Sequence, residues 1–164
     1  MPSTRLIDYM PHIEQGLMDL INWVENGVEP IATVAEYKDG KLYMPATADE
    51  RGGIQPVVHA KVNGAERADI QVGERVTLEV DAAVPEGTGT IVAVEWDFDG
   101  TGKYPHKHDE VDGKSRHVRM RVNHAFEKAG TYFPAVRVVS HREGDLNAEN
   151  RRIENLGRAR VVVA

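Results

Sequence analysis

The sequence predicts a mainly β chain, an antiparallel sandwich over its last two-thirds preceded by an amphipathic helix and an extended arm. Three observations carry this. Short apolar alternations recur from Val57 onward with turn formers between them. Only the stretch near the start repeats at helical spacing, and no helical run separates the strands, as a βαβ sheet would need.

Taken in order, the first element is a helix between Pro11 and Asn26. Ile13, Leu17, Leu20, Ile21 and Val24 share one face, and Glu14, Gln15, Asp19, Asn22 and Glu25 take the other. Pro11 suits a first helical position, where its missing N–H costs nothing, and Gly27 suits the left-handed residue past the end. Burying the five aliphatic side chains would contribute roughly 8–15 kcal/mol as an upper bound, so the stripe is expected to lie on something.

Residues 31–56 lose periodicity to Gly, Pro, Asp and Thr, with one short strand expected at Lys41 to Met44; this is the arm. Seven strands follow, at Val57–Val62, Ala68–Val72, Arg75–Val80, Thr90–Phe98, His117–Phe126, Thr131–Ser140 and Arg158–Val163. Asn63-Gly64, Gly73, Pro85-Glu86-Gly87 and Ala129-Gly130 mark turns between them. The alternation of Val92, Val94, Trp96 and Phe98 against Ala93, Glu95 and Asp97 predicts one buried and one wet face. The expected division is residues 1–55 for helix and arm and 56–164 for the sandwich.

The chain has 164 residues, of which 41% are hydrophobic, and a net charge of −6. That is enough for about one domain that buries a core without disulfides. It has no cysteine, which excludes thiol catalysis, thiolate zinc sites and iron–sulfur clusters. The acidic balance argues against general nucleic-acid binding, and the alternating Arg119 and Arg121 after Arg116 read as a solvated strand face. No stretch has the ~18 apolar residues of a membrane span, and the first residues lack the layout of a signal peptide.

The densest motif is Asp97-Phe98-Asp99-Gly100-Thr101-Gly102. Asp97, Asp99 and Thr101 hold positions 1, 3 and 5 of a calcium loop with Gly102 at its sharp turn, but His108 stands where a bidentate Glu belongs. The same string resembles the first motif of haloacid-dehalogenase-type phosphatases, in which Asp97 would be nucleophile and Asp99 acid/base. The bland alternative is a turn closed by side-chain to backbone hydrogen bonds. His106-Lys107-His108-Asp109 follows in a long charged loop, a candidate binding loop through His106, His108 and Asp109. For zinc it would need a third ligand from His117, His124 or His141. Ser3, Ser115 and Ser140 form no Gly-x-Ser-x-Gly elbow.

Trp96-Asp97-Phe98 at a strand end, with Phe126, then Gly130-Thr131-Tyr132 leading into a Val-rich strand, resembles the polycystic-kidney-disease (PKD) repeat, an immunoglobulin-like β-sandwich. Pro134 departs from it, and a proline there predicts an edge or a bulge. Trp23, Val24, Glu25, Gly27 and Pro30 resemble the ending of tannase- and feruloyl-esterase-like α/β-hydrolases, whose final helix packs on the catalytic domain. That family's catalytic residues have no counterparts in this chain.

Together these readings favour a non-catalytic accessory module of a hydrolase-like protein, serving domain positioning or contact with carbohydrate, polymer or protein. The alternatives are a hydrolase, esterase-related or a phosphatase using Asp97 and Asp99, and a calcium-stiffened linker. No cofactor is expected beyond Ca²⁺ in that last case. The helix is expected to meet a hydrolase-type domain, to self-associate, or to fold onto the sandwich, with no nucleic acid and no membrane span. The PKD resemblance implies a periplasmic or secreted setting.

Overall fold

The computed structural model describes residue 4 and residues 6–164; Ser3 lies outside them. Helix α1 is Met10–Asn26, with Pro11 in its first turn and Gly27 closing it at φ 71°, where the Gly27 N–H reaches the Trp23 carbonyl. The arm holds more than one strand. β1 (Glu36–Lys38) and β2 (Lys41–Tyr43) form a hairpin about Asp39-Gly40, both at positive φ as a type I′ turn requires. α2 (Ala48–Arg51) is one turn, capped by Thr47, whose Oγ1 accepts the Glu50 N–H and donates to the Glu50 carboxylate.

The remaining strands are β3 (Val57–Val62), β4 (Arg67–Ile70), β5 (Arg75–Ala83), β6 (Thr90–Asp97), β7 (His106–Lys107), β8 (His117–Ala125), β9 (Gly130–Tyr132), β10 (Ala135–His141), β11 (Ile153–Arg158) and β12 (Arg160–Val163). They make sheets ordered β3-β5-β8, β11-β10-β6-β7 and β4-β12-β9 around one core. Trp96, Leu78, Val80, Val94, Val136, Val138 and Val161 fill that core with almost no exposure, as the period-2 alternation predicts.

The expected strand Thr131–Ser140 is two strands in two sheets. β9 pairs with β12, and β10 with β6 and β11, and the chain changes sheet at Phe133-Pro134. Proline has no N–H for a ladder, so this is where pairing ends, while its carbonyl accepts the Ala159 N–H. β4 and β12 pair in parallel, a departure from an all-antiparallel sandwich. β11 is a strand that the periodicity misses.

β6 also corrects the expectation of a wet face, because Glu95 and Asp97 are both buried. The loop after β6 folds back over the sheet. Lys107 Nζ lies 3.3 Å from Glu95, whose other oxygen takes Arg137 at 2.6 Å, and the Tyr104 ring covers that guanidinium at 4.5 Å. Burial pushes the Tyr104 hydroxyl up to about 12.

Candidate interaction surface

α1 is amphipathic as the sequence predicts, but it meets the sandwich with its polar side. The Asp8 N–H donates to Glu154 on β11 at 2.8 Å. The Glu14 carboxylate accepts the Arg151 N–H at 2.8 Å, and both Asp19 oxygens accept from Arg142 Nη2 at 3.0 Å. Gln15, between them, is 4% exposed and donates to Asp19. His12 lies on this side too, and burial lowers its pKa against the opposing pull of Asp8 and Glu154. The seam is incompletely paired, since Gln15 Oε1 and Arg142 Nε have no partner among the described residues.

The apolar stripe faces outward. Met10, Ile13, Leu20 and Ile21 are about half exposed, Leu17 is 55% exposed and Val24 78%. The expectation that the stripe folds onto the sandwich is therefore not met. Seventeen of the twenty exposed large hydrophobic residues among those described lie between Leu6 and Met44. They include Val34, Tyr37, Leu42 and Tyr43 of the arm, so most of the uncovered apolar surface belongs to the helix and arm, the sandwich adding Val72, Phe133 and Leu146.

At the motif after β6, Asp97 is 1% exposed, and its Oδ2 accepts the Gly102 N–H and, at 3.2 Å, the Thr101 hydroxyl. The carboxylate thus closes the turn. Asp99 is exposed, and it faces His124, whose pKa is lowered mainly by burial and raised in part by Asp99. His106 is on β7, and Phe98 brings it together with His124, ring centroids standing 4.4 and 4.2 Å from the Phe98 ring. His108 turns instead to Glu110 at 3.3 Å, beside the exposed Asp109. The loop is thus largely folded against the sheet edge.

His117 pairs with Asp81 at 2.7 Å on the outer face of β5 and β8, and His141 is buried beside Asp145. Among the described residues no three His, Asp or Glu side chains converge to hold a metal ion. Ser115 and Ser140 bond backbone carbonyls of His117 and Ile153. Arg119 and Arg121 are exposed against Asp81 and Glu79, the solvated face predicted for them. This outer face, with His59 and Lys61, lines an open depression of about 460 Å³.

Sequence reasoning missed the hairpin, α2 and the inverted docking. The first two had signals, Asp39-Gly40 as a hairpin turn and Thr47 to Glu50 as a capping box. The third had only Asp19 and Glu14 on the polar face, which name no partner. No helix among the described residues is long and apolar enough to cross a membrane.

No family model matches the chain, and no curated protein matches it. Solved structures similar to this chain include two of a CARDB domain. The CARDB domain of a Pyrococcus furiosus protein, determined in solution by NMR, is 15% identical with a TM-score of 0.43, and the match covers 67% of this chain and 96% of that one. A crystal structure of that CARDB domain, in complex with di-metal ions, is 17% identical with a TM-score of 0.43, covering 67% of this chain and 94% of that one.

Proposed function

We propose that the chain is a non-catalytic accessory module, a PKD-like sandwich that fastens itself to a second, larger domain through the outward face of α1. The observation that carries this is the inversion of the helix. An isolated domain gains by turning an apolar stripe inward and leaving carboxylates in water; here Asp19 and Glu14 are committed to the sandwich and Leu17 and Ile21 to the outside. That arrangement suits a helix shared between two bodies, polar to one and apolar to the other. The Trp23 to Pro30 motif, with its likeness to the last helix of tannase-like hydrolases, supports a hydrolase-type domain as the second body.

A catalytic role for Asp97 fits poorly, because a nucleophile must reach substrate and this carboxylate is enclosed by its own turn. The test joins both statements. Nile red, a neutral apolar dye, should brighten on the protein and lose most of that signal in Leu17→Gln/Ile21→Gln, with the melting temperature unchanged. Neither p-nitrophenyl acetate nor p-nitrophenyl phosphate should turn over. Dye binding indifferent to the two substitutions, or turnover abolished by Asp99→Asn in a folded protein, contradicts the proposal.

A further inference from the structure

Resting on that accessory-module reading, we infer that the surface which covers α1 belongs to a partner protein and is an apolar groove rimmed by lysine and arginine, not a second copy of this chain and not a lipid surface. Charge separates these three occupants. Between residues 6 and 44 seven carboxylates stand against two lysines, both in the β1–β2 hairpin, and α1 itself has no lysine or arginine; Glu14 and Asp19 are taken up by the sandwich, which leaves five. Glu25, exposed and four positions from Ile21, borders the stripe, and the exposed Glu29 and Glu36 continue the acidic run into the arm.

Glu25 also stands in the last turn of the helix, where the macrodipole favours a cation and no basic residue is present. A partner with a basic rim satisfies the carboxylates and the helix end together.

A second copy satisfies neither. Two α1 stripes packed about a two-fold axis set acidic borders beside each other, and like charges at an interface rim are unfavourable. Anionic membranes repel the same rim, whereas helices that lie on membranes carry lysine and arginine along their polar face.

The test uses the whole chain and two 18-residue helical peptides with the same leucine face, one bordered by lysines and one by glutamates. Trp23 on α1 is about half exposed, while Trp96 is enclosed in the core, so Trp23 reports covering as a blue shift. The lysine peptide should bind at least about tenfold more tightly than the glutamate peptide in 50 mM salt, and lose most of that margin at 500 mM. Leu17→Gln/Ile21→Gln, which keeps every charge, should abolish the shift.

Equal affinity for the two peptides overturns the basic rim and leaves the docking proposal standing, whereas a protein that binds neither peptide nor Nile red loses both. A micromolar dimer that the double substitution dissociates makes the occupant a second copy and overturns the inference. A blue shift on phosphatidylglycerol vesicles makes it a lipid surface and does the same.

Discussion

At Asp97 the carboxylate oxygen that a hydrolase would use as nucleophile accepts the Gly102 N–H and the Thr101 hydroxyl, and the side chain has almost no exposure. Removing it strands those donors in a partly buried turn, a loss of about 1–3 kcal/mol. Asp97→Ala should therefore lower the midpoint of urea unfolding by that amount. The same protein separates the turn from the calcium loop. If Asp97, Asp99 and Thr101 serve only the turn, millimolar Ca²⁺ leaves the wild-type melting temperature where it is; a calcium-dependent rise that Asp99→Asn removes assigns the ion to them. The motif was legible in the sequence as a polar string of this kind, but which oxygen meets which donor depends on the backbone path after Phe98.

Among the elements, β11 shows where periodicity fails. Ile-Glu-Asn-Leu-Gly-Arg has neither clean alternation nor β-branched density, yet it pairs along β10 from Ala135 to Ser140. Gly157 is the reason the strand looks weak. A Cβ there would come within 2.8 Å of Val58 Cγ1 and 3.1 Å of the Ala60 methyl on β3, so the glycine is set by the close approach of two sheets, a non-local fact. Gly157→Ala should destabilise the sandwich by about 1–3 kcal/mol by overpacking, read as a lower denaturation midpoint with an unchanged slope. By contrast β5, β6 and β8 were legible because their alternation is long and their core residues are large. The sheet change at Pro134 was half legible: the proline forbade continuous pairing, and only the fold shows that the chain crosses to a second sheet.

For the whole molecule, the sequence divides into a helix and arm and a β-sandwich, and the structure adds how the first meets the second. The sandwich closes its own core. The helix holds to it through Asp8, Glu14 and Asp19 and keeps its apolar side for something else. Amphipathicity was plain in the sequence, but the side that would be covered was not, because the hydrophobic effect says an apolar stripe seeks cover without saying whose. A chain without cysteine allows the most direct test of this orientation, since a single introduced thiol is the only one to label. Leu17→Cys and Gln15→Cys should be treated with a maleimide at neutral pH in the folded protein. Rapid labelling at position 17 and protection at position 15 are expected; protection at 17 with rapid labelling at 15 would mean that the helix folds its apolar face onto the sandwich and has no docking surface to offer.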